Sequence, residues 1–304
     1  MRIDPENIGA GEVVLIAGPT ASGKTQLALH LAEKLAALER PAMLINADSM
    51  QVYRDLQILT ARPRQDELGE VAHRLFGHVD VAERYSTGRW LGEAAAALEE
   101  ARELRLTPIF VGGTGLYFKA LTEGLSPMPK VPAEVRARVG ELAARAGPAG
   151  LAERLAEVDP QARAAIRPSD TQRLARALEI FLASGRSILE WRRAGRAGAP
   201  VPEGRRFVLL PEREALYGAI EARFEAMMEA GALEEARALR ARGLAPDLPA
   251  MKAIGVPPLM AHLAGEIGLA EAVAEAQRES RRYAKRQLTW LRHQLGEGWT
   301  ALGP

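Results

Sequence analysis

The stretch Gly18-Pro19-Thr20-Ala21-Ser22-Gly23-Lys24-Thr25 fills every fixed position of the pattern G-x-x-x-x-G-K-[ST]. In that pattern a glycine turn between a strand and a helix points successive backbone N–H groups at phosphate oxygens, at the positive end of the helix. The surroundings agree with it. Val13-Val14-Leu15-Ile16-Ala17 is an apolar, β-branched run that predicts a buried strand, and Leu27, Leu31 and Leu35 recur at helical spacing and predict a helix over 24–37. Gly18 and Gly23 allow backbone angles that a Cβ resists. Lys24 adds a point charge, and Thr25 a hydroxyl ligand for Mg²⁺. Such a loop commits the chain to an α/β sheet with its ligand at the carboxyl ends of the strands. It reads phosphate and metal but not base or sugar, so the rest of the substrate must be identified from elsewhere in the chain.

At 304 residues the chain exceeds the usual size of a single core, which leaves room for an added module. With Lys+Arg 40 against Asp+Glu 39, any nucleic-acid surface must come from local clustering and not from overall basicity. The absence of cysteine excludes disulfides, thiolate catalysis and Cys-based zinc sites, and fits a reducing compartment. Residues 1–11 carry no cationic end followed by an apolar signal core, and no apolar run is long enough to span a membrane. The expected compartment is the cytoplasm.

Met43-Leu44-Ile45-Asn46-Ala47 predicts a second strand that delivers Asp48-Ser49-Met50-Gln51 on the ligand side of the sheet. Asp48 is there either a member of the phosphate site or a turn or capping aspartate. Arg62, within Thr60-Ala61-Arg62-Pro63, is either a phosphate clamp or a solvated side chain. His73 and His78 have no partner at metal-ligand spacing and read as structural. After a helix over 87–104, Pro108-Ile109-Phe110-Val111 predicts a strand that ends in Gly112-Gly113-Thr114. Nucleoside-triphosphate hydrolases support Mg²⁺ with an aspartate at such a place, so its absence argues against a motor or switch. A small-molecule or nucleotide kinase that binds ATP remains as the alternative, with Asp48 as a substitute carboxylate. Thr114 is also readable as a helix cap.

The proline-marked stretch 125–132 opens a segment of helices over 133–146, 151–158 and 171–183 without strand runs, closed by a second Gly/Pro linker at 195–204. The domain reading is therefore a core of 1–124 and 201–304 with an insertion at 125–200. Gln172-Arg173-Leu174-Ala175-Arg176 puts two guanidiniums on one helix face, by default a solvated one. Residues 205–210 predict a return to the sheet, followed by helices over 213–229 and 277–294. On the last helix Arg278, Arg282 and Arg286 recur at four-residue spacing, with Arg281 and Lys285 on the adjacent stripe and Tyr283 and Trp290 interleaved. The stripe fits a phosphate backbone, or it complements the helix dipole in solvent.

In stretches spread over nearly its whole length the chain resembles the tRNA dimethylallyltransferases, also called isopentenyl-tRNA transferases. These stretches are the phosphate loop, Asp48-Ser49, Thr60-Ala61-Arg62-Pro63, Val111-Gly112-Gly113-Thr114, Gly124-Leu125-Ser126-Pro127, Gln172-Arg173 with Arg176-Ala177-Leu178-Glu179, and Ala284-Lys285-Arg286-Gln287-Leu288-Thr289-Trp290. The resemblance implies a P-loop-kinase-like parallel sheet flanked by helices, with an inserted all-helical tRNA-binding module and a C-terminal helical extension. It implies transfer of the dimethylallyl group of dimethylallyl diphosphate to the exocyclic amine of the adenosine 3′-adjacent to the anticodon, with release of diphosphate, which accounts for the missing γ-phosphate apparatus.

Asp48, Thr114 and Lys24 then match catalytic positions. Gly18, Pro19, Thr20, Ala21, Ser22, Gly23, Lys24, Thr25 and Arg223 match the diphosphate site, with Mg²⁺ at Thr25. For the tRNA anticodon stem-loop the candidates are Asp48, Ser49, Met50, Gln51, Thr114, Arg136, Gln172, Arg173, Arg176, Lys252, Arg278, Arg281, Arg282, Lys285 and Arg286. A monomer and no membrane partner are expected. Two positions depart from the family pattern: Ala219 stands where many members carry arginine, and Val256 where many carry an aromatic residue.

Overall fold

A strand covered on both faces must be apolar at every position, and that condition sets the centre of the fold. The structure, a computed structural model, describes residues 3–196, 198–201 and 203–303. Strands β1 (Val14–Ala17), β2 (Ala42–Asn46), β3 (Ala72–Arg74), β4 (Thr107–Gly112), β5 (Arg205–Leu209) and β6 (Thr300–Leu302) form one sheet of order β3-β2-β4-β1-β5-β6. Every pairing is parallel. All residues of β1, β2 and β4 are buried. The register sets Ala17 opposite Gly112 and Asn46 opposite Val111, so the phosphate loop and the turns after β2 and β4 leave the sheet side by side.

Helix α1 (Lys24–Ala37) covers one face, where Leu31 and Leu35 pack with Ile16, Leu44 and Ile109. A short helix, α2 (Gln65–Leu68), precedes α3 (Thr87–Glu103). The latter covers the other face through Trp90, Ala94 and Leu98, against Leu15, Met43 and Phe110. The Ser86 side chain caps α3 by accepting from Arg89 N. Helix α4 (Gly115–Glu123) starts directly after β4.

Two compact units divide the chain: Met1–Thr122 with Pro200–Pro304, and Glu123–Ala199. The second unit holds α5 (Ala133–Val158), α6 (Pro160–Ala165), α7 (Thr171–Ser184) and α8 (Ile188–Arg193). It has its own core, centred on Val139, Leu151, Leu155, Leu174 and Leu178. Within α5 the two helices expected over 133–146 and 151–158 are both present, and they meet at a kink where Gly147 leaves helical geometry (φ 61°), directly before Pro148. Asp159 and Asp170 accept from Ala162 N and Arg173 N and so start α6 and α7, and left-handed Gly185 stops α7. Within the linker expected at 195–204, Ala197 and Pro202 lie outside the described residues.

The first unit is completed by α9 (Arg213–Glu229), α10 (Ala232–Ala241), α11 (Val256–Leu263) and α12 (Leu269–Gln294). Helix α12 begins about two turns before the expected 277, because its first turns bury small residues, Ala272 and Ala276, which leave little apolar signal. β3 and β6 were not expected. Each has three residues and sits at an edge of the sheet, too short to leave a periodic run. Among the described residues no helix is long and apolar enough to cross a membrane.

Candidate active site

The phosphate loop is built as its sequence requires. Gly23 is left-handed (φ 78°), and Gly18 N donates to Gly112 O (3.2 Å), pinning the start of the loop to the end of β4. A Cβ on Gly18 would stand 2.6 Å from Ser22 Oγ, a buried hydroxyl oxygen that has no protein partner. Lys24 is 9% exposed, and its Nζ donates to Pro19 O (3.1 Å). Burial lowers the Lys24 ammonium to about 8; the Asp48 carboxylate opposes that shift and the Arg223 guanidinium adds to it.

The turns after β2 and β4 meet at unusually short range. A Cβ on Gly112 would lie 2.1 Å from the Ala47 carbonyl, and one on Gly113 would lie 2.4 Å from Gln287 Nε2 and 3.2 Å from Asp48 Oδ2. Only glycine allows that approach. Asp48 Oδ1 accepts from Met50 N (3.0 Å), the bond of a turn aspartate, while Oδ2 is the atom that borders Gly113. Asn46, fully buried at the end of β2, shapes this turn: its Oδ1 accepts from Asp48 N (2.8 Å) and its Nδ2 donates to Asp48 O (2.9 Å) and Leu75 O (3.0 Å). Beneath it Trp90 donates to Asn46 O (2.9 Å) and stacks on Tyr117 at 3.9 Å between ring centroids. Thr114 Oγ1 accepts from Ser49 N (2.9 Å) and donates to Ser49 Oγ (3.2 Å), tying the two turns together.

Arg223 of α9 donates to Thr20 Oγ1 in the loop. Burial lowers its ionisation from the ordinary guanidinium value, and the Asp48 carboxylate opposes the shift. Burial also raises the phenols of Tyr117 and Tyr283, and the Asp48 charge raises both further. Lys24, Arg223, Asp48, Thr114 and the loop are thus one constellation around the ends of β1, β2 and β4.

The other expected positions divide. Gln51 is buried, with its amide nitrogen on Thr60 O (3.1 Å) and Ala61 O (3.0 Å), while Lys252 is exposed. Arg62 is partly buried; it donates to Arg54 O (3.0 Å) and lies over Gly77, where a Cβ would come within 2.3 Å of it. His78 is held by Glu93 (2.7 Å), and His73 by Val71 O (3.1 Å). In the second unit Arg136 and Gln172 are exposed, Arg173 pairs with Asp170 (3.4 Å) and Arg176 with Glu179 (3.2 Å).

The basic stripe of α12 is interrupted by acids. Arg278 and Arg282 share Glu275, and Arg281 pairs with Glu221 of α9 (2.5 Å). Lys285 and Arg286 are exposed and form no ion pair among the described residues, though the Arg286 charge acts on Glu279; Arg286 lies over the Tyr283 ring at 5.7 Å. Trp290 packs on Gly115. Ala219 is exposed, and Val256 is fully buried in the core, so the second departure is a change of packing.

Sequence reasoning overlooked two side chains that shape the site, Asn46 and Gln287. Each is a polar residue among mostly apolar buried neighbours, Asn46 at the end of a buried strand and Gln287 in the row of α12 that holds Ala276, Ala284, Leu288 and Leu291, and that mismatch is the signal that could have found them.

The family model described as IPP transferase matches residues 51–294, and one described as Isopentenyl transferase matches residues 11–80. The tRNA dimethylallyltransferase of Nitrobacter hamburgensis is 55% identical over 295 residues, covering 96% of this chain and 92% of its own length. Among solved structures, the full-length tRNA isopentenylpyrophosphate transferase of Bacillus halodurans is 33% identical with a TM-score of 0.67, over 96% of this chain and 90% of its own. A eukaryotic dimethylallyltransferase, solved acting on tRNA, is 26% identical with a TM-score of 0.77, over 96% of this chain and 73% of its own.

Proposed function

The chain belongs to the tRNA dimethylallyltransferases, enzymes with a P-loop-kinase-like fold, and from that premise we propose how its own residues divide the reaction. The donor is dimethylallyl diphosphate, and the acceptor is the exocyclic amine of the adenosine 3′-adjacent to the anticodon. Adenine nitrogen attacks the allylic carbon, the carbon–oxygen bond breaks, and its electron pair leaves with diphosphate. The loop amides, Lys24 and Arg223 stabilise the negative charge that develops on the leaving group. Asp48 accepts the proton that the amine loses once it bonds to carbon, and Thr114 supports the reacting region from the turn it shares with Ser49.

The chain fits Mg²⁺ through hard oxygen donors. Thr25 stands in the first turn of α1, the Ser22 hydroxyl in the preceding loop is buried without a partner, and among the described residues no group of three His, Cys, Asp or Glu could hold a metal ion. With so few protein donors, Thr25 would hold the cation together with oxygens of the bound diphosphate. When bound, Mg²⁺ supplies charge neutralisation for the departing diphosphate.

For adenine to reach Asp48 it must leave its stack, and base extrusion from a single-stranded loop supplies that geometry. Ser49, Met50 and Lys252, with Lys285 and Arg286 on α12, are the candidates in the first unit. Arg136, Gln172, Arg173 and Arg176 are those of the inserted module. The protein is expected to act as a monomer in the cytoplasm.

The observation that carries this reading is the contact of Asp48 with the Gly113 turn, within the electrostatic reach of both Lys24 and Arg223. The test is incubation with Mg²⁺, radiolabelled dimethylallyl diphosphate and unfractionated tRNA. Label is expected in tRNA. Transfer of phosphate from ATP with no label in tRNA would establish a kinase instead.

A further inference from the structure

Gln287 is a buried polar residue of the site that the reaction scheme above does not use. It is 6% exposed, and it comes from α12, far in sequence from the loop it touches. Its Oε1 accepts from Thr20 N (2.9 Å), and its Nε2 donates to Gly113 O (2.8 Å). One end of the amide therefore holds the phosphate loop, and the other holds the turn against which Asp48 rests. The Thr20 N–H is withdrawn from the set of amides free to meet phosphate, so this bond belongs to the frame of the loop and not to its ligand. No other side chain among the described residues is shown bonded to backbone atoms of both segments.

Resting on the reading of Asp48 and the loop given above, we propose that Gln287 is a positioning residue that fixes the separation between the leaving-group cradle and the proton-accepting carboxylate. The physical need is clear. Attack in line with a departing diphosphate requires nucleophile, allylic carbon and leaving oxygen to be held together to a fraction of an ångström, and displacement by about 1 Å can cost about 100-fold in rate. The cradle is on β1 and α1 and the carboxylate is on the turn after β2, so they belong to different elements. Gly113 borders both halves, since a Cβ there would lie 3.2 Å from Asp48 Oδ2 and 3.2 Å from Gly18 O, and the Gln287 amide adds a side-chain bridge to the backbone bond between Gly18 N and Gly112 O. A donor and an acceptor are both required, which a glutamate, a methionine or a leucine of similar size cannot supply. Gln287 is also the residue next to Arg286 and two from Lys285, so the helix that presents exposed cations outward sets this separation inward.

The experiment is single-turnover prenyl transfer at saturating dimethylallyl diphosphate and tRNA, with diphosphate affinity measured separately by calorimetry. Gln287→Met keeps the volume and removes both bonds. It should slow transfer about 10- to 100-fold, with affinity for dimethylallyl diphosphate within about threefold of the parent. Gln287→Glu keeps an acceptor for Thr20 N–H but turns an oxygen on Gly113 O, and should be as slow. Should Gln287→Met not fold, Gly113→Ala perturbs the same contact from the other side, because its methyl would displace the Gln287 amide, and it should show the same split between rate and affinity. A rate within threefold of the parent for the Met variant, a parent-like rate for the Glu variant, or a fall in affinity equal to the fall in rate would each overturn the proposal. A parent that transfers no label at all would instead remove the reading on which it rests.

Discussion

Replacing Asp48 with asparagine separates its two structural roles, because the turn bond and the base use different atoms. Oδ1 accepts from Met50 N, and asparagine keeps an oxygen for that bond, so the turn should persist. Oδ2 borders Gly113, and there the substitution removes the ability to take a proton. General-base catalysis contributes roughly 10² to 10⁴ in rate, equivalent to about 3 to 5 kcal/mol of barrier. The variant loses something else as well. The Asp48 charge opposes the fall of the Lys24 ionisation, so without it Lys24 titrates below about 8 and the cradle loses charge sooner as pH rises. An assay near pH 8 would mix the two effects. Single-turnover transfer at about pH 6.5, with both substrates saturating, isolates the base, and Asp48→Asn should be slower by the full range above with diphosphate affinity nearly intact. Thr114→Ala is the comparison, since it loosens the turn shared with Ser49 but leaves the carboxylate. Turnover of Asp48→Asn within about threefold of the parent, far below what a general base supplies, would reduce Asp48 to a turn residue.

Burial places the Lys24 ionisation near 8 in the free protein, so its charge is lost above that pH and an arriving diphosphate must restore it. Dimethylallyl diphosphate affinity should fall by up to about tenfold per pH unit above 8, with proton uptake on binding; calorimetry in two buffers of different ionisation enthalpy reads the uptake, and its absence between pH 8 and 9 contradicts the assignment. On α12, neutralising Lys285 and Arg286 together should lower the slope of log Kd for tRNA against log salt by about 1.4 to 1.8, as expected for two phosphate contacts. Neutralising Arg278 and Arg282 should lower it less, since Glu275 already pairs both. Glu235 of α10 accepts from Gln57 N (2.7 Å), Ile58 N (2.8 Å) and Leu59 N (2.9 Å), so Glu235→Gln should destabilise the protein by about 1 to 3 kcal/mol in urea unfolding. A change under about 0.5 kcal/mol, the ordinary range of a surface substitution, would mean that the three bonds are not needed.

The parts of this fold that were legible are those whose physics is local. β1, β2 and β4 are buried on both faces and must be apolar throughout, and the loop between β1 and α1 requires its glycines and its lysine in fixed order. β3 and β6 are three-residue edge strands whose existence depends on a neighbour already being in place. The same distinction applies to the site. Asp48 and Thr114 could be read because each ends a strand on the ligand side, whereas Gln287 acts through partners more than 170 residues away. For the stripe on α12, spacing along one helix shows the arginines but not the pairing of Arg281 with Glu221 on another. Nor does anything local show that Arg62 lies over Gly77.

The glycine pair that closes β4 separates this site from the ATP-using enzymes built on the same kind of loop. An aspartate supporting Mg²⁺ would need a Cβ where Gly112 meets the Ala47 carbonyl or where Gly113 meets the Gln287 amide, and neither place admits one without parting the turns. The closeness that excludes that aspartate is also what brings Asp48 from β2 to the cradle. On the proposed reading its position has an electrostatic consequence for the reaction itself. As the carbon–oxygen bond breaks, the diphosphate gains a negative charge beside Lys24 and Arg223. As the amine bonds to carbon, its proton neutralises Asp48, the carboxylate whose charge those same two cations feel. One negative charge therefore disappears from the turn after β2 while one appears on the leaving group, and the net charge of a largely buried site does not change. In a medium of low effective dielectric, where an uncompensated charge is costly, that exchange lets proton acceptance and leaving-group departure favour each other. A kinase-type carboxylate that held metal throughout the reaction could not supply it.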